Sequence, residues 1–220
     1  MRKVVVGAFV SLDGVMQGPG GPDEDRSKGF DLGGWLVPHF DESVGRSMDG
    51  LFDRAFDLLL GRKTYEIFAA HWPHVGEGDP VGDLFDRITK YVATRDAGFA
   101  LDWRNSESLA PDAVAAVKKL KAGDGPDLLT QGSTELLHAL FAADLVDEMF
   151  LLTFPVVLGE GKKLFGDGAA PRTFTLDSSK VSDSGVVISR YLRAGAVTSG
   201  SFALDEPTPA EVERRAGIDS

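Results

Sequence analysis

The chain has 220 residues, 43% of them hydrophobic, no cysteine, and a formal net charge of −11. That apolar share can fill one sizeable domain core, and the missing thiols exclude disulfides, thiolate catalysis and Cys-ligated metal centres. The negative balance argues against nonspecific binding to nucleic acid or anionic membranes, so a phosphate-bearing ligand must find a local positive pocket. The start, Met1-Arg2-Lys3 and then three valines and a glycine, is interrupted too soon for a signal peptide. No apolar run approaches the roughly 20 residues that span a bilayer. A reducing cytoplasm is the expected location, with a small-molecule substrate and neither nucleic acid nor membrane as partner.

In chain order, 3–10 is continuously apolar and predicts a strand covered on both faces. Ser11-Leu12-Asp13-Gly14 turns the chain out of it, and a Gly/Pro/Asp-rich stretch over 18–34 reads as a lid or a disordered insertion. A helix is expected over 41–56, capped by Asp41 or Ser43, then a strand at 57–60 and a helix at 62–70. Loop is expected at 73–82, a short helix near 82–88 and a strand at 90–95. Pro111 suits the first position of a helix over 111–121, where Val114, Val117 and Leu120 recur at helical spacing. A strand at 127–130 leads into Gln131-Gly132-Ser133-Thr134 and a helix with Leu136, Leu137, Leu140 and Phe141 on one side. Strands at 146–153, 172–182 and 185–193 follow, the last two as a hairpin across 183–185. Alternation early and consecutive strands late predict an α/β fold, a mostly parallel sheet with an antiparallel C-terminal edge. The domain is expected over 1–193, with 194–220 an acidic tail that is a short helix or disordered.

Chemistry concentrates at three strand ends: Gly61-Arg62-Lys63-Thr64, Thr94-Arg95 and Gln131-Gly132-Ser133-Thr134. Carboxyl ends of strands in an open α/β sheet line one edge, where ligands lie. Helix starts there offer unpaired N–H groups and a positive dipole end to phosphates. Arg95 has the forked geometry for a further phosphate. No Gly-x-Gly-x-x-Gly fingerprint, Walker A loop, His-Glu-x-x-His or Gly-x-Ser-x-Gly occurs. His71-Trp72-Pro73-His74 offers two imidazoles but no third ligand, so no metal site is expected. Asp13 is either a substrate-facing carboxylate or merely a turn former. Trp35 and Phe40 are either ring-stacking groups or anchors for the loop, His39 is placed where it can touch substrate, and His138 reads as structural. Lys162 is a further cation for a phosphate.

These segments, together with Leu-Gly-Arg-Lys-Thr-Tyr-Glu at 60–66, Ala-Thr-Arg-Asp at 93–96 and Pro-Val-Val-Leu-Gly-Glu-Gly-Lys-Lys-Leu-Phe at 155–165, occur in an order that resembles the dihydrofolate reductase-like superfamily. The chain is most similar there to the RibD C-terminal domain, the reductase domain of bacterial riboflavin biosynthesis proteins, over roughly 2–193. The resemblance implies a three-layer α/β/α sandwich, NADPH as cofactor and a homodimer through the late strands. By the same resemblance, Gly61, Arg62 and Thr64 meet the pyrophosphate and adenosine end, and Thr94 and Arg95 hold the 2′-phosphate side. Gly132, Ser133 and Thr134 approach from the second helix, with Gln131 standing where the family has the first glycine of a pair. Ala8 lies beside the nicotinamide, and Asp13 faces the substrate as the catalytic carboxylate. The implied activity is NADPH-dependent hydride transfer to a small heterocyclic or ribosylamino substrate, of the 5-amino-6-(5-phosphoribosylamino)uracil reductase type. The alternatives are dihydrofolate reduction proper and a non-catalytic NADPH-binding sensor.

Overall fold

The computed structural model describes residues 1–76 and 78–218. The first strand, β1 (Val4–Ser11), is buried along almost its whole length, as its unbroken apolar run requires. It pairs in parallel with β5 (Asp127–Gln131) on one side and β6 (Glu148–Phe154) on the other. Beyond β5 lie β2 (Phe56–Gly61), β3 (Lys90–Ala93) and β4 (Ser106–Ser108), all parallel. Beyond β6 lie β8 (Val187–Gly195) and the edge strand β7 (Thr173–Val181), both antiparallel to their neighbours. Among the described residues the sheet therefore runs β4-β3-β2-β5-β1-β6-β8-β7.

Period-two alternation divides the core between the two faces of the sheet. Val4, Val6, Ala8, Leu59 and Leu128 point to the layer of α4 (Ala113–Ala122) and α5 (Thr134–Ala142), where Val117, Leu137 and Leu140 meet them. Val5, Leu58, Leu60 and Leu129 point the other way. There they meet Leu51 of α1 (Glu42–Phe52), Tyr65 of α2 (Arg62–His71) and Phe85 of α3 (Pro80–Arg87). This is the three-layer α/β sandwich expected, with its antiparallel C-terminal edge.

Local departures have physical reasons. Helix α1 starts on the Asp41 cap, whose carboxylate accepts from the Val44 N–H, but stops at Phe52. Just beyond that end, Arg54 is fixed by ion pairs of 2.6 Å to both Asp127 and Glu148. Helix α4 starts at Ala113, not Pro111, because Asp112 accepts from the Ala115 N–H and takes the capping position. Asp79 caps α3 in the same way and starts it at Pro80, inside the stretch expected to be loop. Strand β4 was not foreseen, being three polar residues on the sheet margin. The 18–34 loop is packed: Phe30, Trp35 and Leu36 are buried against Leu152, Phe154 and Ile188. Trp35 meets Phe154 edge-on at 5.5 Å and donates its indole N–H to the Gln17 carbonyl at 2.8 Å, so Trp35 is an anchor. The chain after β8 carries a helix, α6 (Pro209–Ala216), that buries none of its residues.

Candidate active-site cleft

Strands β2 and β5 are parallel neighbours, and the helices that follow them leave on opposite faces of the sheet. A crevice opens at their carboxyl ends, the place where such sheets bind ligands. It is a cleft of about 870 Å3, a size suited to a small-molecule ligand. From the α2 side Gly61, Arg62 and Thr64 line it; from the β3 end, Thr94 and Arg95; from the α5 side, Gln131, Gly132, Ser133 and Thr134. Ala8 contributes from the floor strand β1.

The two helix starts are tied to each other by one side chain. The Ser133 hydroxyl accepts from the Gly61 N–H at 2.7 Å and donates to the Thr64 hydroxyl at 2.8 Å. A Cβ at residue 61 would sit 3.0 Å from the Ser133 Cβ, so glycine is what lets the segments approach this closely. Ser133 holds a left-handed backbone (φ 69) directly after Gly132 (φ 76). Its side chain is thereby turned away from its own helix, and α5 has no side-chain cap; neither does α2. The first-turn N–H groups of both helices thus face the cleft without an intrahelical acceptor.

Cations surround these N–H groups. Arg62 stacks over the Phe99 ring at 4.8 Å and pairs with Glu66 at 3.0 Å, which fixes its direction. Arg95 is exposed on the cleft wall and has no ion-pair partner among the described residues. Thr94 is nearly buried, and its hydroxyl accepts from the Asp96 N–H at 3.1 Å, shaping the turn that presents Arg95. The side-chain nitrogen of Gln131 is fully buried and has no hydrogen-bond partner among the described residues. A buried donor in that condition costs free energy unless a ligand supplies the acceptor.

The model of the RibD C-terminal domain family matches residues 2–188. The chain belongs to that family. Two proteins of Bacillus subtilis (strain 168), both uncharacterized, resemble it along nearly their whole length. YwjB is 30% identical over 196 residues, covering 88% of this chain and 99% of its own. YyaP is 26% identical over 189 residues, covering 84% and 92%. Among solved structures, a candidate riboflavin biosynthesis protein from Shewanella sp. PV-4 gives a TM-score of 0.66 at 20% identity, covering 88% of this chain and 99% of its own. Dihydrofolate reductase from Enterococcus faecalis, solved with NADP(H), gives 0.55 at 13% identity, covering 87% and 96%. The deaminase/5-amino-6-(5-phosphoribosylamino)uracil reductase of Thermotoga maritima gives 0.56 at 14% identity, covering 88% of this chain and 57% of that one. Likenesses at these identities establish a shared fold.

In this RibD C-terminal domain Asp13 lies outside the cleft lining. Its carboxylate accepts from the Ser11 hydroxyl at 2.7 Å and from the Leu158 and Gly159 N–H groups at 3.1 and 2.9 Å. Those bonds, the Ser11 one foremost, bring its pKa down to about 2. Gly159 takes a left-handed backbone (φ 78), the conformational need expected of that turn. The His138 ring donates its Nε2–H to the Lys163 carbonyl at 2.9 Å, and the His39 carbonyl receives the Ser184 hydroxyl. Lys162 does line the cleft, with its ammonium bonded to Asp25.

Several cleft groups carried no signal in the sequence. Gln17 is buried, and its amide donates to the Asp25 and Ser27 carbonyls at 3.1 and 2.9 Å while its oxygen accepts from the Lys162 N–H at 3.0 Å. One side chain thus staples the wall loop to the 159–163 turn. Asp25 also lies 3.8 Å from Lys63 at the start of α2. Burial raises the Asp25 carboxyl, but hydrogen bonds from Lys162 and Ser27 outweigh it and bring it down to about 2. Nothing in an Asp-Glu-Asp run distinguishes such a carboxylate from a solvated one. No helix among the described residues is long and apolar enough to cross a membrane.

Proposed function

We propose that this chain is an NADPH-dependent reductase that passes hydride to a small heterocyclic or ribosylamino carbon held in the cleft. The observation that carries the reading is the convergence, in one cleft, of two uncapped helix starts, the unpaired Arg95 and the acceptor-less Gln131 amide. That donor set fits a ligand bearing several phosphate oxygens. It is supported by family membership and by the NADP(H) complex of the E. faecalis reductase that shares the fold.

The first-turn N–H groups of α2 and α5 hold the pyrophosphate, with Gly61, Gly132 and Ser133 bringing the backbone close. Arg62 and Thr64 support the adenosine end, and Thr94 presents Arg95 to the 2′-phosphate. Gln131 donates its orphaned N–H to the cofactor, and Ala8 marks the stretch of β1 on which the ring rests. When bound, the reduced nicotinamide supplies the hydride. Around it Phe9, Met16, Met48 and Leu152 make apolar walls that exclude water from the reacting carbon. Asp13 acts through the 158–159 turn, which it holds against the exit of β1.

The reading is tested by following nicotinamide absorbance while purified protein and NADPH are offered a panel of ribosylaminopyrimidines and dihydropteridines. Substrate-dependent NADPH consumption, lost in Arg95→Ala at limiting cofactor, supports it. An unconsumed cofactor across the panel, with NADPH tightly bound, would favour a binding role without turnover. A cytoplasmic homodimer is part of the same proposal: edge strand β7 is almost wholly exposed, with Leu176 and Val181 uncovered. A monomer mass in sedimentation would remove the dimer from it.

A further inference from the structure

The 16–28 segment and Lys162 build a further wall of the cleft, which reaches the start of α2 through Asp25, and its charges are arranged in an unusual way. Lys162 is the one partly buried cation on that wall, and its ammonium is bonded to Asp25. The other Asp25 oxygen accepts from the Ser27 N–H at 3.1 Å and faces Lys63 at 3.8 Å. Lys162 is therefore committed to a carboxylate, and the mostly exposed Lys63 lies near the same one. Lys28 stands exposed at the rim, where water screens its charge. Next to this pair, Glu24 lines the cleft, held by the Gly20 N–H at 2.6 Å and by the Gly21 N–H, and it has no salt bridge among the described residues. Beneath lie Phe9, Met16, Met48 and Leu152, an apolar seat for a flat ring.

We propose that this end of the cleft selects an unphosphorylated planar ring carrying N–H donors, held by the Glu24 carboxylate, while the Lys162–Asp25 pair denies a phosphate its cation. The inference rests on the reductase reading of the cleft and narrows its substrate class. A dianionic phosphate placed here would lie beside two carboxylates, with Lys162 already paired and Lys28 only at the solvent-screened rim, and like charges at short range repel strongly in a partly desolvated site. A ring with adjacent N–H groups meets the opposite situation: a cleft-lining carboxylate that has no salt bridge among the described residues, and apolar walls. Burial pushes the Glu24 carboxyl up, as befits a group that ligand N–H donors would help to keep ionised.

Two probes share one ring and differ in head group: benzamidine, a planar N–H-bearing cation, and phenyl phosphate. Binding of each to full-length protein is measured calorimetrically, with NADPH titrated into the same preparations. Benzamidine is expected to bind the unaltered protein at least tenfold more tightly than phenyl phosphate. Glu24→Gln should weaken benzamidine about tenfold, and Asp25→Asn, which releases Lys162, should strengthen phenyl phosphate about tenfold; unfolding midpoints near that of the parent show that both variants fold. Phenyl phosphate binding as tightly as benzamidine, or benzamidine affinity unmoved by Glu24→Gln, would overturn the assignment. If either occurs while NADPH still binds, only the substrate class is lost; if NADPH does not bind, the reductase reading itself fails.

Discussion

The bond that joins the two helix starts lends itself to a quantitative test. In Ser133→Ala the Gly61 N–H loses its 2.7 Å acceptor and the Thr64 hydroxyl loses its 2.8 Å donor. Leaving a partly buried donor unsatisfied costs about 1–2 kcal/mol, at the lower end of the buried range. For a domain of this size that lowers the thermal midpoint by about 2–8 °C. Ser133→Gly loses the same bonds but also relieves a left-handed residue (φ 69) of its Cβ. That relief is about 1–2 kcal/mol, less about 0.4–1 kcal/mol for the greater freedom glycine gives the unfolded chain. Glycine should therefore be more stable than alanine at this position by about 0.5–1 kcal/mol, while both lie at or below the serine protein. Urea unfolding of the three proteins reads the order directly. Equal midpoints for all three would show that the bridge contributes nothing, and alanine above glycine would refute the backbone argument.

Arg95→Ala should weaken NADPH by about tenfold to a hundredfold, the size of a lost charge-assisted phosphate contact, and leave NADH unchanged; equal weakening of both removes Arg95 from the 2′-phosphate. Gln131→Met, close in volume, should leave the ligand-free protein as stable or slightly more so, since a buried donor without a partner disappears, yet lower NADPH affinity. A stability loss of more than about 1 kcal/mol in that variant would mean the amide is already satisfied in the free protein. The Asp13 and Asp25 carboxyls sit at about 2 in the folded protein against the ordinary 3.8. A folded value below the unfolded one gives stabilisation that is complete above about pH 4 and is lost as pH falls through about 2. Asp13→Asn should flatten that part of the acid unfolding profile, and an unaltered profile would show that the 158–159 turn gains nothing from the carboxylate.

The parts of this protein that depend on local pattern were readable from residue types. The continuous apolar run of β1, the Gly61-Arg62 junction after β2 and the period of α5 each impose their own structure, and sheet topology then gathers three strand ends at one edge. What escaped was set by distant partners. Ser106–Ser108 pairs as β4 only because β3 lies beside it. The start of α4 is a local miss: Asp112 takes the cap from Pro111 by accepting from the Ala115 N–H three residues on. The left-handed turn at Ser133 has no sequence signature beyond Gly132, and its bond to Gly61 spans 72 positions. The wall is the same case: Gln17 and Asp25 look like any polar loop residues until the 159–163 turn is placed against them.

In the proposed function the cleft is a nicotinamide dinucleotide site that reads the 2′-phosphate. Titration of the full chain with NADPH and NADH, followed by quenching of its three tryptophans and energy transfer to the reduced ring, tests it most directly. Saturable NADPH binding in the micromolar range, with a clear preference over NADH, is the expected result. Failure of both nucleotides to bind, or equal affinity for the two, would contradict it.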